Sequence, residues 1–436
     1  MVIPTSWAGA LSAAVALGLA GAAILLSRRY PRAAFVVWLC VVAFVPVWFG
    51  VSVGGPQFQP ASLLGIPVAI GMALNRPRFA WIPADVMMVA LLAACVVPVF
   101  VGAGTVSSVF GVISQWAVAF TIGRLAPLVL GDLDVVKSVV TVVFAIVGLL
   151  AVVEFALDWH PYVGLGPQNA AYAEWGEIQG RSGLWRSEGA FGHSIALGCS
   201  LALAIPLGLT SRFRASVRVT SVALMVAGAV VTLSRTGLLC TACALLLSVV
   251  FLREPRMREV RGWAVAAALA GALAVIPFVS TVLAGGGREA SSSAEYRVTL
   301  AGLVSKVAFL GLSPAASRSV TGEVRFAGLK SIDNEILYAG LTYGALAVAI
   351  GLVLLLLALG RTLLGIATAP EISVVAMVPA LLTVAFITQY TLVFWFMAGL
   401  AVAAVSMRAQ TRDGQRLAGA SAPPRVLEPA RARRST

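Results

Sequence analysis

Apolar runs of about 20 residues recur along almost the whole of this 436-residue chain. A helix of that length can cross the hydrocarbon core of a bilayer, which is roughly 30 Å thick. Hydrophobic residues make up 60% of the sequence and charged residues 11%, whereas soluble domains are roughly 45–50% apolar. The sequence therefore predicts an all-α fold, namely a polytopic bundle of transmembrane helices.

The apolar runs between charge clusters predict roughly 12–13 spans. They lie near residues 7–27, 33–54, 60–75, 85–105, 107–130, 135–157, 193–210, 217–233, 236–252, 263–284, 335–358, 371–388 and 390–407. The third run is short enough for a half-span. We expect one membrane-embedded domain over residues 1–407. The tail 408–436 is basic and lacks apolar periodicity, so we expect a disordered cytoplasmic segment.

The placement of basic residues predicts the orientation of the chain. Arg28, Arg29 and Arg32 follow the first apolar run, and positive charge holds that end of a span in the cytoplasm. An N-terminus outside then leaves most of the 31 Lys and Arg residues on the cytoplasmic side. The net charge of +13 is thus mainly a topological signal, and no nucleic-acid partner is expected. In this topology some basic residues remain on the outer side, namely Arg181, Arg186, Arg235, Arg288, Arg297, Lys306, Arg318, Arg325 and Lys330.

Two predicted extracytoplasmic segments, residues 158–192 and 285–334, are too long to be simple turns. The second has apolar residues at helical spacing, which predicts a short amphipathic helix lying on the membrane surface. These residues are Leu300, Leu303, Val304, Val307 and Leu310.

Arginines at the outward ends of apolar spans indicate an anionic ligand. Arg186, Arg235 and Arg297 stand there, and guanidinium groups can hold a diphosphate by paired hydrogen bonds. The same arginines also fit interfacial anchors that reach to lipid headgroups. Glu188 either orients Arg186 by an ion pair or is solvated.

The motif "SIDNEILYAGL" opens the next apolar run with three polar residues, Asp333, Asn334 and Glu335. Asp or Asn before an apolar run is typical of a helix N-cap. A carboxylate beside a cationic cavity is also suited to general-base catalysis. Both interpretations of Asp333 are open from the sequence.

No metal or cofactor site is predicted. The two histidines, His160 and His193, are more typical of polar interfacial residues than of metal ligands. All five cysteines fall in apolar segments, where they form no disulfide framework.

The motifs "RSEGAFGHSIALG", "LSRTGLL", "YRVTLAG" and "IDNEILYAGLTYGALA" occur in this order within residues 120–400. In order and placement they resemble the O-antigen ligase and polymerase superfamily of bacterial envelope glycosyltransferases. The resemblance implies a GT-C-like helical enzyme at the outer face of the cytoplasmic membrane. Its donor would be an oligosaccharide on a polyprenyl diphosphate such as undecaprenyl diphosphate, and no metal or cofactor would be required.

The resemblance also implies roles for individual residues. Arg186 and Arg297 match the diphosphate-binding arginines of the family, and Arg235 is a further match. The ligases carry a histidine, the proposed base, where this chain has Asp333. That difference favours a polymerase, or transfer to another acceptor, over ligation to a lipid A core. Asp333 would accept the proton of a glycan hydroxyl or another hydroxyl as that group attacks the anomeric carbon and inverts its configuration. Asn334 and Glu188 would support the site.

Two other classes of function fit parts of the sequence. A transporter or flippase for an anionic or lipid-linked substrate is suggested by Arg124, Glu154 and Asp158, although no internal repeat is present. A non-catalytic assembly scaffold is the third interpretation, and the concentration of polar residues at one place argues against it.

Overall fold

The computed structural model describes residues 5–52, 57–77, 79–181, 183–267, 269, 300–318, 324–329 and 331–420, most of which are helical. The first half contains α1 (Thr5–Arg29), α2 (Pro31–Phe44), α3 (Pro60–Leu74), α4 (Pro83–Phe100), α5 (Val106–Gly111), a π-helical stretch (Val112–Ala117), α6 (Val118–Leu130) and α7 (Leu133–Leu157). The second half contains α8 (Ala170–Trp175), α9 (Ser194–Thr210), α10 (Ala215–Val231), α11 (Arg235–Phe251), α12 (255–267), α13 (300–304), α14 (Glu335–Tyr343), α15 (Ala345–Leu363), α16 (Ala369–Val375), α17 (Val378–Thr383) and α18 (Thr388–Ala420). Antiparallel hairpins pair β1 (Val51–Ser52) with β2 (Gln57–Phe58), β3 (Gly180–Arg181) with β4 (Leu184–Trp185), and β5 (Ala316–Arg318) with β6 (Val324–Phe326).

Within those described residues, five helices are long and apolar enough to cross a membrane. They are Pro83–Phe100, Val106–Leu130, Leu133–Leu157, Ala345–Leu363 and Thr388–Thr411. Shorter apolar helices are Pro31–Phe44, Pro60–Leu74, Ser194–Thr210, Ala215–Val231, Arg235–Phe251 and Ala369–Thr383. This helical, apolar architecture agrees with the predicted fold class.

The predicted span 335–358 is interrupted, because α14 ends at Tyr343 and α15 starts after Gly344. Gly344 has φ +96°, and a Cβ there would lie 2.7 Å from Leu310 Cα. The loop around Leu310 occupies the break, where Ala345 N–H donates to Ala308 O at 2.8 Å and Gly311 N–H to Tyr343 O at 2.9 Å. A tertiary contact with this loop therefore replaces helical hydrogen bonds.

Three further predictions differ from the structure. The run 371–388 forms two short helices, α16 and α17, followed by a non-helical stretch at 384–387. The terminal helix α18 continues to Ala420, so residues 408–420 are helical rather than irregular, and residues 421–436 lie outside the described part. The amphipathic helix of the second outer segment ends at 304 in the structure, before Val307 and Leu310.

A group of ion pairs lies at one end of the bundle. They include Arg124 with Asp85 at 2.7 Å, Lys137 with Glu254 at 2.7 Å, Arg256 with Asp134 at 2.6 Å, Arg218 with Glu259, and Arg361 with Glu371. We call this the ion-pair end. Helix α7 carries Lys137 near its start and Glu154 near its last residue, so Glu154 lies toward the opposite end. Helix α11 begins at that opposite end with Arg235.

Candidate functional site

Arg186 joins a hairpin to the turn between two helices. It directly follows β4, and its Nη1 donates to Gln179 Oε1 at 3.2 Å, just before β3. Its Nε donates to Thr232 O at 3.0 Å, in the turn between α10 and α11. The partly buried guanidinium is thereby held in a defined orientation at the end opposite the ion pairs.

The same turn carries Arg235. Ser234 is the N-cap of α11, and its Oγ accepts the Gly237 N–H at 3.1 Å. Arg235 is the first residue of the helix and is exposed. Arg186 and Arg235, which are far apart in the sequence, therefore lie at one turn. Their shared role in binding a diphosphate stays a prediction.

Asn334, and not Asp333, is the N-cap of α14. Its Oδ1 accepts the Leu337 N–H at 2.9 Å, and its Nδ2 donates to Leu382 O at 3.1 Å. Asp333 is exposed and accepts the Ser331 hydroxyl at 3.0 Å. The capping interpretation of Asp333 is therefore wrong, because the next residue satisfies the helix N-terminus.

Helix α17 contacts both α11, which carries Arg235, and Asn334 at the start of α14. Thr383 Oγ1 lies 3.3 Å from Thr236 Oγ1 in α11, next to Arg235. The preceding residue, Leu382, accepts the hydrogen bond from Asn334. We call Arg186, Arg235, Asp333 and Asn334 the polar rim. Arg297, the remaining predicted site residue, lies outside the described part of the chain.

An apolar cleft of about 470 Å³ lies between α14, α15 and α18. Glu335, directly after Asn334, lines one end, and Arg361 with Glu371 lines the other. Glu335 is buried and accepts the Phe386 N–H at 2.6 Å, so it also ties α14 to the chain before α18. The lining between these ends is almost entirely apolar and includes Met88, Leu91, Ile336, Leu352, Leu355 and Val402.

Glu188 is buried directly behind Arg186. Its Oε1 accepts the Gln179 N–H at 3.2 Å. Burial raises the pKa of the Glu188 carboxyl to about 8, and the charge of Glu154 adds to this increase. The Gln179 hydrogen bond and the charge of Arg186 lower the same pKa. The predicted ion pair with Arg186 is thus opposed by desolvation, and the neutral carboxyl is favoured at neutral pH.

This raised pKa predicts a pH dependence of stability. Since the folded pKa of Glu188 exceeds its ordinary value of 4.5, its contribution is fully present below pH 4.5 and is lost as pH rises through about 8. Glu188→Gln keeps an acceptor for Gln179 but cannot ionise. In wild type, the free energy of unfolding should fall by on the order of 1 kcal/mol per pH unit between pH 4.5 and about 8 because of Glu188. We expect Glu188→Gln to lack this slope. Thermal unfolding in detergent, followed by tryptophan fluorescence, measures the slope.

Glu177→Gln is the matched control, because Glu177 is exposed in the same segment between α7 and α9. We expect it to retain the wild-type slope. Equal slopes in Glu188→Gln and wild type would contradict the assignment of the pH dependence to Glu188.

Comparisons with known proteins return no family: no family model, curated protein or solved structure matches the chain. Within the described residues, no group of three or more His, Cys, Asp or Glu side chains could hold a metal ion.

Sequence reasoning missed several residues that build the rim. Gln179, Thr232 and Thr383 contact rim residues or their neighbours, yet none stands out in the sequence. Thr232 participates through its carbonyl oxygen, which any residue would supply. The sequence suggests Glu154 as a residue of a transporter, whereas in the structure its carboxylate accepts backbone N–H groups of the segment after Arg186.

Proposed function

We propose that this protein transfers glycan units from a polyprenyl-diphosphate-linked donor at the outer face of the bacterial cytoplasmic membrane. One observation carries the proposal: the apolar cleft ends at Glu335, next to Asn334 of the polar rim, and α17 links Asn334 to the turn that holds Arg186 and Arg235. A ligand with a long hydrocarbon tail and an anionic head matches both surfaces at once. The order of motifs shared with the O-antigen ligase and polymerase superfamily supports the same assignment, including its GT-C-like fold.

The apolar lining of the cleft fits the hydrocarbon tail of a lipid better than it fits the path of a charged headgroup across the membrane. A flippase must carry a charged headgroup between the two ends, and buried charges need polar partners along the way. The polar groups of this cleft stand at its ends, at Glu335 and at the Arg361–Glu371 pair. Arg124, which suggested a transporter, forms a bidentate pair with Asp85 at the ion-pair end.

The proposed reaction needs an anion site and a base. Arg186 and Arg235, with Arg297 as the third arginine implied by the resemblance, stabilise the negative charge that develops on the diphosphate as the bond between the anomeric carbon and the phosphate oxygen breaks. The acceptor hydroxyl attacks the opposite face of that carbon, and its proton passes to the Asp333 carboxylate. The anomeric centre is inverted, and the polyprenyl diphosphate leaves.

A reconstituted assay tests this function. The purified chain in nanodiscs receives an undecaprenyl-diphosphate-linked oligosaccharide that serves as donor and as acceptor, and product length is followed by gel and mass spectrometry. We expect longer glycan chains and released undecaprenyl diphosphate. Movement of a labelled lipid between leaflets of proteoliposomes, without any longer glycan, would replace the proposal with a flippase.

The proposed orientation makes a separate prediction. Ala173 is exposed in α8, near the rim, and Ser216 is exposed in the first turn of α10, near the opposite end. In intact cells we expect Ala173→Cys to react with a membrane-impermeant maleimide and Ser216→Cys to react only after lysis. The wild-type chain, with its five native cysteines, gives the background. The reverse labelling pattern would place the rim in the cytoplasm.

A further inference from the structure

Glu154, near the end of α7, uses its carboxylate to hold backbone rather than ligand. The residue is 6% exposed. Its Oε2 accepts the Gly189 N–H at 3.0 Å, and its Oε1 accepts the Glu188 N–H at 3.3 Å. The same Oε1 lies 3.0 Å from His160 Nδ1, and the other nitrogen of that ring contacts Asp158.

These bonds fix the residues that directly follow Arg186. Ser187 Oγ donates to Ala151 O at 2.8 Å, one helical turn before Glu154 in α7. The Ser187 N–H donates to Val231 O at 3.3 Å, at the end of α10. The segment 187–189 is therefore clamped between α7 and α10, and the guanidinium of Arg186 reaches the α10–α11 turn from that fixed point.

The space beside Glu154 is too small for a sugar. The adjoining cavity has a volume of about 20 Å³, lined by Glu154, His160, Glu188, Trp48 and Trp175 among others. A cavity of that size holds a single water molecule. The geometry of this cavity therefore leaves no room for a glycan in contact with Glu154.

We propose that Glu154 is a positioning residue for Arg186: its carboxylate anchors the 187–189 backbone so that the guanidinium is held at the polar rim. This inference rests on the proposed function for its kinetic readout. Precise placement of a binding group matters because a displacement of about 1 Å can lower a rate substantially. From the sequence, Glu154 suits a transporter. The proposal instead gives its carboxylate the role of holding the arginine of the anion site in place.

Glu154→Gln tests the proposal, since the amide replaces one accepting oxygen with an NH₂ group facing a backbone N–H. We expect kcat/KM for the lipid-linked donor to fall roughly 10-fold, with unchanged membrane levels. In an Arg186→Ala background the same change should cost less than about 2-fold, because a residue that acts through Arg186 has nothing left to position. Equal losses in both backgrounds would overturn the proposal.

Hydrogen exchange provides a readout that does not depend on activity. Amides of residues 187–189 should exchange faster in Glu154→Gln than in wild type, and Asp158→Asn should match wild type in both exchange and activity. Asp158 is the other partner of the His160 ring, its side chain is 72% exposed, and asparagine tolerates its left-handed backbone at φ +49°. Unchanged exchange and activity in Glu154→Gln would contradict the proposed role.

Two outcomes separate this inference from the proposed function. If wild type transfers no glycan, the function fails, while the exchange experiment still decides whether Glu154 anchors the segment. If Glu154→Gln does not accumulate in the membrane, Glu154→Asp replaces it, since the shorter side chain keeps its charge but withdraws from the backbone donors. The same dependence on Arg186 is then expected, and its absence would overturn the proposal.

Discussion

Asp333→Asn is expected to lower glycan transfer by roughly 10²–10⁴-fold while the protein reaches the membrane at the wild-type level. Asparagine preserves the shape of the side chain but cannot accept the proton of the acceptor hydroxyl. This substitution leaves the N-cap of α14 intact, because Asn334 provides that cap and is not changed. A loss of activity is then not attributable to an uncapped helix. Product chain length and rate, measured in nanodiscs from purified donor, give the result.

Two further variants sharpen this experiment. Asp333→His should retain more activity than Asp333→Asn, because imidazole can take the same proton and the ligases that this sequence resembles carry histidine in this place. Glu177→Gln, an equivalent change at an exposed carboxylate between α7 and α9, should behave as wild type. If Asp333→Asn is fully active, Asp333 is not the base, and Glu335 at the end of the cleft becomes the carboxylate to test.

Arg186→Lys is expected to lower kcat/KM for the lipid-linked donor by roughly 30- to 1000-fold, equivalent to about 2–4 kcal/mol. The guanidinium donates from Nε to Thr232 O and from Nη1 to Gln179 Oε1. A lysine ammonium keeps the charge but lacks the planar fork that binds these two acceptors while facing a phosphate. We therefore expect the affinity for the diphosphate to fall along with turnover.

Arg28→Lys serves as the control, because Arg28 is an exposed arginine in the last turn of α1. We expect it to leave transfer and donor binding unchanged. Competition by undecaprenyl diphosphate, measured as its inhibition constant in each variant, separates a binding defect from a folding defect. Wild-type inhibition and rate in Arg186→Lys would show that Arg186 anchors the chain to headgroups instead.

The sequence was sufficient for the fold class because burial of apolar surface in a bilayer is a local property of each run. A stretch of about 20 apolar residues satisfies its own backbone as a helix, whatever its neighbours are. Among the long helices of the described part, Leu133–Leu157 closely matches the predicted run 135–157, whereas Ala345–Leu363 covers only the later part of the run 335–358 and extends beyond it.

Tertiary structure alone decided the details of the site, since each depends on which distant backbone group is within reach. Asn334 rather than Asp333 caps α14, and its amide also meets Leu382 O. Glu154 acts on residues 188 and 189 because α7 ends beside them. A hydrogen bond requires donor and acceptor within about 3 Å, and hydrophobic periodicity specifies which face of a helix is buried but not which distant carbonyl lies opposite it.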